Sequence, residues 1–459
     1  MRNKIVFVAA HLGYPMDKTP LGGGAMVGVH LSQILGTRNQ GFDFVCLGSG
    51  PEPPGAEVSY AALRPPLFPG EHISLLSEFR YARFSRWFEK KSASWILERN
   101  CEFTPQNTCI IVNDISESPN IAALSRRGYP ILSLWHVDVV DYFNRLYLKE
   151  IIPGHWLTSV YEKLRASQAR RFVPDILKLV FDKEREIVMS SRRLIFPSQT
   201  MKERLLSLYP NLMPAQELSA KAVVIPWGTW SETIEPDLVH QEAKKISEKY
   251  QLAKDDHILL TVSRISPEKG LDILLKAVQV LEKKRPDIAE KIRLFICGEP
   301  AFMRGRSYAE KISRLAQNLK LARAFFPGYL SPPRKKAFFE ISDLFISPSI
   351  HESYGLTIVE AMAGGCPILA GDHYGAKDLI SPEFGRIAPY RGSYTPQASL
   401  AFHLEALLSD KEELKKMRTH SQQAASKMRF ENAAQKIADL ALGEISHSRQ
   451  NEEKSEISI

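Results

Sequence analysis

The stretch from His351 to Pro367 constrains the fold more tightly than any other part of this chain. Just ahead of it, the run from Asp343 to Ser349 is short and apolar and ends in Ser-Pro-Ser, the pattern of a buried strand breaking into a loop. Gly355 then opens a helix. Leu356, Val359, Ala363 and their apolar neighbours hold helical spacing until Gly364-Gly365 closes it, with Pro367 as a further stop. A helix that starts on glycine leaves free backbone N–H groups and the positive end of a dipole, which together suit a phosphate. Glu352 falls in the entry loop and Glu360 on the helix. Two carboxylates flanking such an end suit a ligand that carries both phosphates and hydroxyls.

Strand and helix patterns alternate through the rest of the chain. Ile5 to Ala9 reads as a strand, followed by a loop to Leu21-Gly22-Gly23-Gly24 and a helix carrying Val27, Val29, Leu31, Ile34 and Leu35. Glycines in such a turn let backbone approach a phosphate, although three glycines are also compatible with plain flexibility. Phe44 to Leu47, Cys109 to Val112, Pro130 to Trp135, Arg192 to Ser198 and Ala222 to Pro226 are further strands, with a Pro-rich irregular connection over residues 51 to 70. The Pro130 strand runs directly into His136, at the carboxyl end where parallel sheets place ligand contacts. Residues 155 to 192 are long, basic and helical in pattern.

Trp227 to Val239 has no clear period and is expected to be a domain linker. The alternation then starts afresh: strand Ile258 to Val262, loop Arg264 to Gly270, helix Leu271 to Leu281, strand Arg293 to Gly298, helix Tyr308 to Leu321, strand Phe325 to Gly328, helix Arg334 to Glu340, strand Ile368 to Ala370 and a helix over 397 to 409. Two successive α/β units of about 200 residues each imply two doubly wound domains. Beyond residue 445 the chain is rich in Ser, Glu and Lys and is expected to fray.

The formal net charge of +8 is compatible with an anionic partner and equally with a merely solvated basic surface. Five cysteines without C-x-x-C spacing point to a reducing compartment and to no metal. Ile5 to Ala10 is too short for the apolar core of a signal peptide, and no run approaches the 18 or so apolar residues of a spanning helix. A helix over Leu75 to Leu97 would put Tyr81, Phe84, Phe88 and Trp95 on one face and Arg83, Arg86 and Lys90 on another. That face could lie on an anionic membrane; a packed aromatic stripe with a solvated basic side fits the same spacing and is preferred.

Arg264 and Lys269 within Ser263 to Gly270, the run Phe326 to Leu330, and Glu352 with Glu360 together resemble the retaining GT-B glycosyltransferases of family four, the glycosyl transferases group 1. The glycine turn, His136, Leu194 to Ser198 and Val224 to Pro226 fall in the same family order, so the resemblance spans nearly the whole chain. It implies two Rossmann-like, doubly wound domains facing across a cleft. Residues 1–227 would form the acceptor domain, joined by a returning helix at 428–445; residues 240–427 would hold the nucleotide sugar; residues 446–459 would be disordered.

The implied activity is hexosyl transfer with retention from a UDP- or GDP-linked sugar to an unidentified glycan, lipid or small-molecule acceptor. No cofactor, metal or nucleic acid is expected, in a cytoplasmic protein with a peripheral membrane contact through Tyr81 to Trp95 as an option. By the same resemblance Arg264 and Lys269 grip the diphosphate, and Glu352 and His136 meet the transferred sugar. Gly23, Gly24, Gly355, Leu356 and Thr357 approach phosphates, Glu360 takes the ribose hydroxyls, and Gly328, Tyr329 and Leu330 meet the base. Two departures stand out: Pro226 to Trp230 replaces a usual Asn-Gly pair, and Gly371 to Asp378 replaces the usual Gly-Gly and Glu. A catalytically silent binding or regulatory subunit is the competing reading, opposed by the presence of all four of Arg264, Lys269, Glu352 and Glu360.

Overall fold

The computed structural model describes residues 2–14, 22–37, 41–55, 57–64, 73, 76–148, 151–230, 234–300 and 305–457. Leu21, Leu75 and part of the 51 to 70 connection fall outside these. The chain divides into two compact units, one of residues 1–226 with 431–459 and the other of residues 227–430.

The first unit is built on seven strands: β1 (Asn3–Val8), β2 (Phe42–Gly48), β3 (Ser59–Ala62), β4 (Thr108–Val112), β5 (Ile131–Leu134), β6 (Arg193–Phe196) and β7 (Ala222–Val224). Every pairing is parallel, and the order is β3-β2-β1-β4-β5-β6-β7. β4 and β5 are buried along their whole length, which is why their sequences read as unbroken apolar runs rather than alternating ones. Strand order reverses between β1 and β4, so the carboxyl ends of those two strands open the crevice in which doubly wound sheets receive ligands.

The second unit repeats the scheme with β8 (His257–Val262), β9 (Ile292–Cys297), β10 (Arg323–Gly328), β11 (Leu344–Ser347), β12 (Ile368–Gly371) and β13 (Gly385–Ala388). Its parallel order is β10-β9-β8-β11-β12-β13, with the reversal between β8 and β11. Leu259, Leu294, Ile296, Leu344 and Ile346 of this sheet share one core with Leu271, Leu274, Leu275 and Val278 of the following helix.

One open alternative is decided in favour of the preferred reading, and three expectations change. The helix Glu78–Leu97 keeps its amphipathic pattern, but its apolar face is core: Phe84 and Phe88 are buried against Val6, Ile110 and Ile131, and Tyr81 and Trp95 pack at the margin. Those aromatic rings are therefore not a membrane-facing surface. The basic segment is two helices, Gly154–Ala166 and Asp175–Ser190, joined through a short 3-10 turn at Gln168–Phe172. Pro174, which cannot sit inside a helix, marks the start of the second.

Trp227 onward is no free linker. Trp227 is buried, Gly228 N donates to Tyr354 Oη at 2.9 Å, Thr229 N donates to Met428 O at 2.9 Å, and Pro236–Tyr250 is already helix. Lastly, the helix Phe430–Ile457 runs straight through the segment expected to fray. It belongs to the first unit, where Glu444 takes Arg193 Nε at 2.6 Å and Arg449 donates to Gln106 O at 2.7 Å and Asn3 Oδ1 at 2.6 Å. A groove lined by Val223, Val224, Lys436 and Leu440 lies between β7 and this helix.

Removing the Phe88 ring should cost about 3 to 5 kcal/mol of unfolding free energy in a urea titration, the range for emptying a buried aromatic site. Phe79 stands 89% exposed on the same helix, and Phe79→Ala should shift stability by less than about 0.5 kcal/mol.

Candidate functional site

In the second unit the loops that follow β8 and β11 touch. Gly270 has φ +62, and a Cβ there would lie 2.1 Å from Pro348 O, so only glycine permits the approach. Ile350 N donates to Glu268 O at 2.8 Å across the same seam. Glu268 is buried, accepts Ser266 Oγ at 2.5 Å, and stands 3.8 Å from the Arg264 guanidinium, so its carboxylate helps set where Arg264 lies.

The neighbouring Lys269 Nζ donates to Glu352 Oε2. Burial alone would push the Glu352 carboxyl up; the Lys269 ammonium beside it outweighs burial and holds the pKa below the usual carboxylate range. Glu352 is thus an ionised acid. Its own carbonyl accepts Gly375 N at 3.0 Å, and a Cβ on Gly375 would meet Tyr354 O at 1.8 Å, so the second glycine of this region is also fixed by backbone contact. Lys269, Glu352, Thr357, Ser347, Ser349 and Thr261 line one small pocket at the β8/β11 reversal.

Gly355, with φ +96, caps the helix Leu356–Ala363, so the first N–H groups of that helix, including Leu356 and Thr357, face the same end of the sheet. One turn on, Glu360 pairs with Lys335 Nζ at 2.8 Å and is 16% exposed, so it is a held acid rather than a freely solvated one. At the end of β10, Gly328 has φ +78 and Tyr329 N donates to Glu299 Oε1 at 3.2 Å, leaving the Tyr329 side chain 60% exposed beside buried Leu330.

The substituted segment after β12 has a defined local job. His373 Nδ1 accepts Ala376 N at 3.1 Å and so caps the helix Tyr374–Leu379. That leaves the hydrogen on Nε2, which points at Ser347 Oγ 3.4 Å away.

In the first unit, Gly24 lies in the opening turn of the helix Gly23–Leu35, and a Cβ there would come within 2.9 Å of the His136 ring. The glycine thus lets helix and histidine approach. Asn113, just past β4, donates through Nδ2 to Gly24 O at 3.2 Å and to Asp114 Oδ2 at 3.1 Å, and its Oδ1 lies 3.1 Å from His136 Nε2. With the amide nitrogen already donating, Oδ1 is the acceptor and His136 carries its hydrogen on Nε2. Burial lowers the His136 pKa to about 4, against an opposing pull from Asp114, so the ring is neutral near pH 7.

The expected residues of the second unit therefore gather at strand carboxyl ends, with Lys269 and Glu352 in direct contact, while His136, Gly23 and Gly24 gather in the first. Sequence reasoning missed Glu268, Lys335, His373, Asn113 and Asp114. A polar pair immediately after the apolar run Cys109 to Val112 was the available signal for the last two.

Residues 242–424 match the family model described as glycosyl transferases group 1. Among curated proteins, the lipopolysaccharide 1,2-N-acetylglucosaminetransferase of Salmonella typhimurium is 27% identical over 260 residues, 56% of this chain and 63% of that protein. The alpha-monoglucosyldiacylglycerol synthase of Streptococcus pneumoniae is 28% identical over 202 residues, 43% of this chain and 42% of that one. The chain thus spans less than two thirds of the length of either relative. Among solved structures, Anabaena Alr3699/HepE in complex with UDP superposes with a TM-score of 0.62 at 16% identity, covering 96% of this chain and 100% of that one. Sucrose-phosphate synthase from Thermosynechococcus elongatus gives 0.66 at 17% identity over 96% and 98%. These likenesses establish the fold, two Rossmann-like units of the GT-B type.

His136 supplies a pH test. A histidine with a folded pKa near 4 and an unfolded one near 6.5 binds more protons when unfolded, so it costs nothing above pH 6.5 and destabilises progressively as pH falls to 4. The full penalty is about 3 kcal/mol. His136→Gln should flatten the pH dependence of unfolding across that window in urea titrations at pH 4.5 and 7, and NMR titration should find the wild-type ring neutral down to about pH 4.

Proposed function

We propose that this chain, whose residues 242–424 match the glycosyl transferases group 1 family model, is a glycosyltransferase that moves a hexose with retention from a UDP- or GDP-linked donor to a hydroxyl of an acceptor. The observation that carries this reading is the contact of Lys269 with ionised Glu352 beside the open helix end at Gly355. A cation, a carboxylate and a cluster of N–H donors at one strand end form a set that can divide a nucleotide sugar between them.

In this reading the bond from the sugar C1 to the phosphate oxygen breaks, and the diphosphate leaves with the electron pair. Arg264, Lys269 and the N–H groups of Leu356 and Thr357 stabilise the charge that develops on it. The acceptor oxygen attacks the face the diphosphate leaves, and its proton passes to a phosphate oxygen. No side chain need act as base, and no metal need sit on the diphosphate. A bound diphosphate replaces Glu352 as the partner of Lys269, which frees the carboxylate to accept hydroxyls of the transferred sugar. Glu360, steadied by Lys335, accepts the ribose hydroxyls, and main chain at Gly328, Tyr329 and Leu330 meets the base. Neutral His136, its Nε2 hydrogen held by Asn113, serves the transferred sugar as an uncharged contact.

The UDP, UDP with glucose and UDP-glucose complexes of Alr3699/HepE support a uridine donor by likeness of fold. Free thiols at all five cysteines fit a cytoplasmic setting, and among the described residues no helix is long and apolar enough to cross a membrane.

A thermal-shift series with UDP, GDP and ADP tests the donor site: UDP or GDP at about 100 times its Kd should stabilise the protein by about 2.7 kcal/mol. Absence of a shift with any nucleotide at millimolar concentration overturns the reading. Lys269→Ala should retain the native circular dichroism and lose about 100- to 1,000-fold in turnover of the donor, the cost of removing one charge-stabilising donor. Near-normal turnover would remove Lys269 from the chemistry.

A further inference from the structure

We infer that the first unit holds a divalent cation, Zn²⁺ or Mn²⁺, between His11, Asp114 and Glu117. The three side chains arrive from two neighbouring strand ends. His11 follows β1, Asp114 and Glu117 follow β4, and these are the strands between which the sheet order reverses. Each residue offers one donor atom, and the three atoms lie within 4.8 Å of one another. Two ligands that each sit about 2.1 Å from a shared ion are about 3.4 Å apart in tetrahedral geometry and at most about 4.2 Å apart. The His11 Nε2 to Glu117 Oε1 separation of 3.8 Å falls inside that range, and with all three donor atoms within 4.8 Å of one another the set closes on an ion by side-chain adjustment. One imidazole nitrogen with two carboxylates is a donor set for Zn²⁺ or Mn²⁺ rather than for Mg²⁺ or Ca²⁺, which favour all-oxygen shells.

The loop that carries both acids is built as a rigid support. Tyr81 Oη donates to Glu117 Oε1 at 2.5 Å, Ser85 Oγ to Ser116 O, Asn120 N to Glu89 O at 3.1 Å, and Lys183 Nζ to Ser118 O at 3.0 Å. Asp114 is oriented separately, by Asn113 Nδ2 at 3.1 Å. Both carboxylates therefore have outer hydrogen bonds of the kind that orient metal ligands. The direct ion pair of Lys183 is with Glu89, at 2.7 Å. Glu117 is only 6% exposed, so the loop brings an acid into a poorly solvated position beside a second acid and a histidine. Three protein ligands leave at least one tetrahedral position open, and an oxygen of a hydroxyl, phosphate or carboxylate ligand can take it.

All three residues belong to the first unit, and the proposal does not depend on the glycosyl-transfer reading. The test is equilibrium dialysis of the full chain, without nucleotide, against micromolar ZnCl₂ or MnCl₂, with bound metal measured by mass spectrometry. Wild type should hold one equivalent. Asp114→Asn and His11→Gln should each lower affinity at least tenfold while circular dichroism and the thermal midpoint stay within the wild-type range. Tyr81→Phe, which removes only the outer hydrogen bond to Glu117, should weaken binding by about 10-fold or more, in the range for loss of an orienting partner. Substoichiometric uptake by wild type, or equal retention of metal in the Asp114 and His11 variants, overturns the proposal and leaves the three side chains as an ion-pair cluster. If a variant unfolds, Mn²⁺ electron paramagnetic resonance on wild type decides the matter, because histidine nitrogen coupling to the ion must be present.

Discussion

The second unit is organised by the closeness of two loops. Chain leaving β8 and chain leaving β11 meet where Gly270 lies under Pro348 O, and neither can move outward without breaking the Ile350 to Glu268 hydrogen bond. That apposition sets Lys269 against Glu352, aims Arg264 alongside buried Glu268, and brings the helix end at Gly355 to the same small pocket. Electrostatics then follow from position. An acid that burial would keep protonated is ionised because a lysine is fixed beside it. The loop contact comes first, and the charge state is its result.

The first unit uses the same device with different chemistry. Its reversal between β1 and β4 gathers neutral groups, His136 on Asn113 with Gly24 giving clearance, next to the acidic loop of Asp114 and Glu117. One sheet plan therefore supports a lysine and carboxylate pocket in one unit and a histidine and carboxylate cluster in the other. What differs is the few residues that follow each strand.

This explains which parts of the molecule could be read from its residues. Strands such as Cys109 to Val112 and Leu344 to Ser347 are buried on both faces, so their unbroken apolar runs declare them. The helix after Gly355 declares itself by glycines at both ends. Lys269 and Glu352 were both singled out, but their contact spans 83 positions and no local pattern encodes it. Glu268 and Lys335 were invisible for the same reason, each acting on a partner that only the tertiary fold supplies. The aromatic helix at Glu78–Leu97 shows the opposite limit: its spacing favoured a core stripe but also fitted a membrane face, and packing against Val6, Ile110 and Ile131 decides for the core. Composition misjudged residues 446 to 457, because their polarity fits a solvated helix as well as a frayed tail.

The first unit is not contiguous in sequence: β7 ends at Val224, and the helix that flanks it begins only at Phe430. During synthesis the ribosome must deliver some 200 further residues, the whole of the second unit, before that helix exists. Until then Val223 and Val224, which line the groove against Lys436 and Leu440, sit on an uncovered sheet edge. The nascent chain thus completes its second unit before its first, reversing the usual order in which amino-terminal domains finish folding.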